Sequence, residues 1–277
     1  MTRWVMETLI AGRYDVVMLP HTNAGPLLRE WRMRRRLSQL DLSTRTGVST
    51  RHLSCVETGR ARPSRELLLF LADELEVPKR NTNELLLAAG FAPMFTQFAI
   101  SDAELSHVAG LVRLVLDGND PNPTTVIDTR WNLVDANVSA LWFTTGVVAA
   151  LLNPPINVAR LSLHPDGLAS RIRNFDEYAS HLLRHMRRTF AVTHDPELAA
   201  LIEEVSDYVP RHARHSSNLQ ELVLPLRIAM DDVELSFLST ITTFGAALDV
   251  TLSELSIETL YPADEATSLV LASRPWL

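Results

Sequence analysis

Residues 37–60 read LSQLDLSTRTGVSTRHLSCVETGR, a stretch that spells two short helices around a tight turn. Ser38 is placed to cap the first helix, whose inward residues are Leu42 and the small Ser43. Gly47 supplies the backbone freedom that a sharp helix-to-helix turn needs. Ser49 caps the second helix, Leu53 and Val56 face inward three apart, and Gly59 stops it. Thr50, Arg51, Ser54 and Cys55 are left facing out. A helix with a short polar outer face and an arginine at its start has the shape to lie in the major groove of DNA.

Working outward, the pattern predicts three supporting helices. Leu27 to Arg36 comes first, with Leu28 and Trp31 as core residues, so that Trp31 packs and does not stack on bases. After the motif, Ser64 is expected to cap Arg65 to Leu75, where Leu67, Leu68, Leu71 and Leu75 recur at helical spacing, and Asn81 is expected to cap Asn81 to Ala89. Pro78 and Gly90 punctuate the ends.

The order and spacing resemble the helix-turn-helix of the Cro and phage-repressor (XRE) family: Ser38-Gln39 opens the first helix, Gly47-Val48 forms the turn, and Glu57-x-Gly59-x-x-x-Pro63 closes the second. The resemblance implies that Gln39, Thr50, Arg51 and Cys55 touch a double-stranded DNA operator. Ser49, His52, Arg60 and Arg62 complete the candidate DNA-binding set. Their chemistry suits the role: Arg51 can donate two parallel bonds to guanine, Gln39 can bond a phosphate or an adenine, and Cys55 can meet a thymine methyl.

The charge distribution agrees. From Gly25 to Arg65 ten arginines face Glu30, Asp41 and Glu57, a local balance of plus 7. The first 24 residues are balanced and the whole chain carries minus 7, which leaves minus 14 on the rest. A phosphate-binding head on an acidic body is the expectation, with Arg32 to Arg36 as backbone contacts or else as a solvated helix face. Cys55 is the only cysteine, which excludes an internal disulfide, suits a reducing cytoplasm, and leaves a redox-sensing role as a minor alternative.

The 277 residues exceed what five helices use and leave enough chain for a further domain with its own core. The expected order is an N-terminal arm at 1–24 with an apolar patch at Val16 to Leu19, a DNA-binding domain at 25–90, a docked connector at 91–100 rich in Phe91, Met94, Phe95 and Phe98, and a second domain at 101–277. Neither a run of 18 apolar residues nor a secretory signal occurs, so the expectation is a cytoplasmic protein without a membrane span.

In the second domain Ser101 is placed to cap a helix with apolar Leu105, Val108, Leu111, Val112 and Val115. Thr124 to Asp128 and Trp131 to Asn137 read as strands joined at Thr129-Arg130, followed by a helix through Leu141, Trp142 and Phe143. Leu222, Leu224, Leu226 and Ile228 alternate with other residues, as do Val233, Leu235, Phe237, Ser239 and Ile241, and the Asp231-Asp232 turn between them makes a hairpin with one buried face. Pro225 marks an edge strand or a bulge, and Leu255, Ile257, Thr259 and Tyr261 make a fifth strand. Between early and late strands lie helices over Asp176 to Arg188, with Phe175, Tyr178, Leu182 and Met186 on one stripe, and over Pro196 to Val205, capped by Asp195.

Two strands, inserted helices, then three strands resemble the PAS architecture, and the residues are similar to the MmyB-like regulators. The resemblance rests on Val126-Ile127-Asp128-x-x-Trp131-x-Leu133-Val134-x-x-Asn137, on Pro155-x-Asn157-x-x-Arg160-Leu161-x-Leu163-His164-Pro165-Asp166-Gly167-Leu168, on Asp195-Pro196-Glu197-Leu198, and on Thr242-Thr243-Phe244-Gly245 to Tyr261-Pro262-Ala263-Asp264. The segment Tyr208 to Ser217 departs from it, lacking an aromatic-rich His-Asp stretch common in that family. The resemblance implies an α+β chain: an all-α five-helix helix-turn-helix domain followed by a PAS-like antiparallel-sheet domain with flanking helices that binds a small hydrophobic ligand, a fatty acid being the type associated with the fold.

A pocket lined by Trp142, Phe143, Phe175, Leu235, Phe237 and Ile257 suits an acyl chain. Arg160 is the candidate carboxylate anchor and His164 its second, unless Arg160 pairs with Asp166 or a helix end. His181 and His185 stand one turn apart with Glu177 on the same face, but no further ligand completes a metal set. No nucleophile elbow, phosphate-cradling glycine loop or supported acidic pair is present, so no enzyme activity, metal or cofactor is expected. The reading is a homodimeric, ligand-responsive transcriptional regulator. Its rivals are a second domain that only dimerises and a hydrolase of acyl compounds with a fused DNA-binding head.

Overall fold

The computed structural model describes residues 23–95, 103–213, 225–230, 233–243 and 250–273. The expectations for the arm at 1–22, for Phe98, Ser101, Leu222 and Leu224, and for the turn at Asp231-Asp232 lie outside these residues, as does the burial of Leu105 and Val108. The chain divides into two compact units.

The first unit holds α1 (Ala24–Arg34), α2 (Gln39–Thr46), α3 (Thr50–Glu57), α4 (Arg65–Glu74) and α5 (Lys79–Ala88). Its core is aliphatic: Leu28, Leu42, Leu53, Val56, Leu71, Leu75 and Leu86 are fully buried, and Trp31 packs with them as expected. Helix α1 starts at Ala24 and not at Leu27, because the Asn23 side chain accepts from the Gly25 amide and Pro26, which lacks an N–H, is harmless in a first turn. Helix α5 likewise starts before Asn81, since the Pro78 carbonyl already accepts from Thr82. Asn81 caps nothing and donates to Glu84. Beyond α5, the buried Asn83 side chain accepts from the Met94 and Phe95 amides and donates to the Phe95 carbonyl, which pins residues 91–95 to that helix.

The second unit runs α6 (Ala103–Asn119), β1 (Thr124–Ile127), β2 (Leu133–Ala136), α7 (Val138–Leu141) continued by a 3-10 turn at Trp142–Thr144, α8 (Val158–Leu163), α9 (Phe175–Thr193), α10 (Pro196–Tyr208), β3 (Leu226–Met230), β4 (Val233–Thr243), β5 (Ser256–Pro262) and α11 (Glu265–Ser273). The strands form one antiparallel sheet in the order β2-β1-β5-β4-β3, so β3 is an edge, as Pro225 just before it foretold.

Register divides this sheet into two faces. On one, Leu235 and Phe237 of β4 join Ile228, Trp142 and Phe143 in a core, while Ile127 joins a second core with Leu163, Leu183 and Met186. Ile257 pairs across from Val126 and alternates onto the other face, so it cannot line a pocket with Phe237. Two further expectations fail through incomplete cover. Val233 and Ile241 were to be buried with Leu235 and are exposed, and Leu111 and Val115 of α6 are exposed while Val112 and Leu116 are buried.

Candidate DNA-reading and ligand sites

Local chemistry builds the reading helix. The Ser38 hydroxyl accepts from the Asp41 amide while the Asp41 carboxylate accepts from the Ser38 amide, a capping box that opens α2. Gly47 ends α2 in the left-handed region at φ 71, and the Ser49 hydroxyl accepts from the His52 amide to open α3. Gly25 permits a close approach of backbone to backbone: a Cβ there would lie 2.2 Å from the Val56 carbonyl oxygen. That contact presses the start of α1 against the end of α3 and fixes the direction of the reading helix.

The structure exposes Ser49, Thr50, Arg51, His52, Arg60 and Arg62 and leaves Cys55 half-buried. Arg51, Arg60 and Arg62 have no ion-pair partner among the described residues, so their charge is available to phosphate or base. The arginines of α1 are different. Arg32 is buried and donates through Nε and Nη2 to both carboxylate oxygens of Glu57 at 2.6 and 2.8 Å, and through Nη1 to the Leu37 carbonyl. Arg34 pairs with Glu30 and lies over the Trp31 ring, and Arg35 donates to the Leu75 and Glu76 carbonyls at the end of α4. The expected row of phosphate contacts at 32–36 is thereby narrowed: Arg32 and Arg35 hold helices together, and Arg34 pairs within its own helix. A sequence count of charge cannot see a partner 25 residues away.

Gln39 belongs to the same knot, its amide donating to Glu57 at 2.8 Å. Burial pushes the Glu57 carboxyl up, but the hydrogen bonds from Arg32 and Gln39 and the arginine charge outweigh it and hold the group below its ordinary value. Its anionic form is built into the fold and orients the Gln39 head at the start of α2.

In the second unit Trp142, Phe143 and Phe237 come together, with ring centroids 6.0 Å apart for Trp142 and Phe143 and 5.8 Å for Phe143 and Phe237. Phe175 packs against this cluster from α9 and is half-buried. Arg160 and His164 lie elsewhere. The Arg160 guanidinium donates through Nε and Nη2 to the two oxygens of Glu204, each at 2.7 Å, the Tyr208 hydroxyl donates to the same carboxylate, and His164 stands edge-on to the Tyr208 ring. The hydrogen bonds from Arg160 hold the Glu204 carboxyl down, whereas burial and Glu204 push Tyr208 up to about 12. This cluster bolts α8 to α10, and the expected Asp166 partner contacts His164 instead.

The other quoted motifs are also knots. The Asp128 carboxylate accepts from the Arg130 and Asn132 amides and the Asn132 side chain, closing the turn that holds Trp131 at φ 65. Arg130 pairs with Asp195 and Glu197 at the start of α10. The Asn157 amide donates to the Arg130 carbonyl and the Asn132 side chain, and the buried Asn137 side chain joins β1, α6 and α7. His185 stacks edge-on against Trp131, and burial lowers the pKa of both His185 and His181.

Sequence reasoning missed a polar group at the seam of the two cores. Phe175 and Tyr178 of α9 each touch both clusters. Beside them the Tyr178 hydroxyl approaches the Ser162 hydroxyl at 3.5 Å, and the Ser239 hydroxyl donates to Glu258 at 2.6 Å. Burial raises the Glu258 carboxyl, and burial together with the Glu258 charge raises Tyr178 well above its ordinary value. The alternation of Leu235, Phe237, Ser239 and Ile241 held the signal, in a serine where another apolar residue was due.

Residues 24–85 match the model of a helix-turn-helix domain, and residues 108–273 match that of the MmyB-like transcription regulator ligand binding domain. No curated protein matches the chain. Among the described residues no helix is long and apolar enough to cross a membrane.

Proposed function

Because the chain belongs to the MmyB-like transcription regulator family and carries a helix-turn-helix domain ahead of that region, we propose that it is a homodimer whose reading helices bind a two-fold related operator and whose second unit changes that binding when it holds a hydrophobic small molecule. DNA binding and response to a small-molecule ligand follow from the two families. The homodimer, the operator symmetry and the ligand class are our reading. The carrying observation is the contrast within one helical unit: Arg32, Arg34 and Arg35 are engaged internally, whereas Arg51, Arg60 and Arg62 stand exposed beside the reading helix. Ser49, Thr50, His52, Cys55 and the oriented Gln39 are proposed to complete the DNA contact. A ligand acts here only through a difference in its affinity for the operator-competent and incompetent arrangements.

For the ligand, the aromatic cluster of Trp142, Phe143, Phe175 and Phe237 supports an apolar body. A fatty acid, with Arg160 and His164 receiving its carboxylate, requires release of the Arg160–Glu204 pair. A second unit that only dimerises is the rival reading.

Selection of random duplex DNA by the full-length protein tests the proposal. The expected product is an inverted repeat with half-sites about one helical turn (~10 bp) apart, bound by a species of twice the chain mass in light scattering. No enrichment over random sequence overturns it. Denaturing extraction followed by mass spectrometry tests the sensor part, with a stoichiometric apolar molecule expected.

A further inference from the structure

We infer that Asn23 is a positioning residue for DNA binding: its side chain bridges the start of α1 to the turn behind the reading helix and thereby aims Arg60 at a backbone phosphate. The inference rests on the reading of the first unit as the DNA-binding one, and it names a residue outside the candidate contact set.

The turn comes first. Past the end of α3 the Gly59 amide donates to the Val56 carbonyl at 3.0 Å and the Arg60 amide to the Cys55 carbonyl at 2.8 Å, with Gly59 at φ 74. Those two bonds around a left-handed residue are the Schellman ending of a helix. The Ala61 amide donates to the same Cys55 carbonyl at 3.0 Å, so residues 59–61 are wrapped onto the last turn of α3. An ending of this kind is commonly locked by an apolar contact from the residue after the glycine. Here that residue is Arg60, exposed and without an ion-pair partner among the described residues, so the lock is supplied from elsewhere.

Asn23 supplies it. Its Oδ1 accepts from the Gly25 amide at 3.0 Å, which caps α1 and fixes the direction of the side chain. Its Nδ2 then lies 1.8 Å from the point that a Cβ on Gly59 would occupy, and its Cγ 3.1 Å from it. The amide head fills the room left by the missing side chain, so Gly59 is needed twice, for its φ and for this space. Gly25 completes the contact. A Cβ there would lie 2.2 Å from the Val56 oxygen and 2.8 Å from the Glu57 oxygen, so the first turn of α1 rests on the carbonyl that holds the Gly59 amide. Arg60 therefore projects from a backbone held on two sides, and an arginine so placed loses less freedom on meeting a phosphate than one on a free loop.

Asn23→Ser separates the two roles of the side chain, because serine caps a helix as well as asparagine does and is too short to reach Gly59. Fluorescence anisotropy of the full-length protein on the selected operator, over a range of salt concentrations, compares the wild type, Asn23→Ser, Arg60→Ala and the double variant. Arg60→Ala is expected to lower affinity about tenfold and to reduce the slope of log affinity against log salt by about 0.9, the share of one phosphate. Asn23→Ser should lose at least about threefold and part of that slope, at an unchanged urea midpoint, and should change nothing further once Arg60 is alanine. Gly59→Asn, which tolerates the left-handed backbone but fills the space, should copy Asn23→Ser. Full affinity and slope in Asn23→Ser overturn the inference. So does an equal loss in the Arg60→Ala background, which marks a direct contact of Asn23 with DNA, and so does a lowered urea midpoint in Asn23→Ser with wild-type binding by Gly59→Asn. Wild-type affinity in Arg60→Ala overturns it too, and leaves the DNA-binding reading standing where Arg51→Ala still weakens binding. Failure of the wild type to select any operator overturns both.

Discussion

Glu57 and Glu258 carry the same side chain, buried in the first unit and half-buried in the second, and their carboxyls are driven in opposite directions. Glu57 receives two bonds from Arg32 and one from Gln39 and is held down, and Glu258 receives one from a serine and is pushed up. Burial raises both. Partners decide the outcome, so the same carboxyl is a finished structural knot in one place and a group with a single neutral donor in the other.

The largest effect should come from breaking the finished knot. Arg32→Ala leaves Glu57 buried without its partner, and the first unit should lose about 3–5 kcal/mol of stability, read by hydrogen exchange of peptides within 24–88 during urea titration. If the loss is below about 1 kcal/mol, Glu57 is a surface pair after all. Next in size is a change to a free arginine. Arg51→Ala should weaken binding to the selected operator by about 1–3 kcal/mol and relax one base position, with stability unchanged within about 0.5 kcal/mol.

Acid and alkali separate the two carboxylates further. Glu57 has a folded value below its unfolded one, near about 4.3, so its contribution is present above that pH and lost as pH falls through the folded value. Glu258 has a folded value above its unfolded one, so stability present at low pH is lost as pH rises through the folded value. Melting curves should therefore show the first unit weakening in acid. Glu258→Gln should melt higher than wild type at neutral pH without ligand, and an unchanged or lower melting temperature contradicts the raised value.

The smallest effect belongs to a pair that resembles an anchor. Arg160→Ala should cost about 1 kcal/mol, because the Arg160–Glu204 pair is part-exposed and screened. A tenfold loss of dodecanoate affinity in this variant would restore Arg160 as a carboxylate anchor.

Much of the first unit was legible because its signals are local. Caps join a residue to one three further on, as Ser38, Ser49 and Ser64 do, and buried positions repeat every three or four residues along α1 to α5. The helix starts were misjudged where Pro26 and Pro78 stood, since proline hides a first turn from a reading based on polar caps. The sheet was legible as alternation, but which face stays covered was not: Val233 and Ile241 obey the period of two and are exposed all the same.

By itself the sequence determined two domain types, the reading helix and its turn, and the order of strands and inserted helices, because periodicity and capping act over four residues or fewer. Only the tertiary structure decided what the polar residues do. Asp128, Asn137, Asn157 and Arg160, which carry the family likeness, became clamps, and Arg32 went inside. Glu258, in no motif's foreground, was left with the Ser239 hydroxyl of the neighbouring strand as its donor. A charge or hydrogen bond is settled by what packs within about 3 Å of it, and that neighbour is chosen by the fold of the whole unit and not by the neighbouring letters.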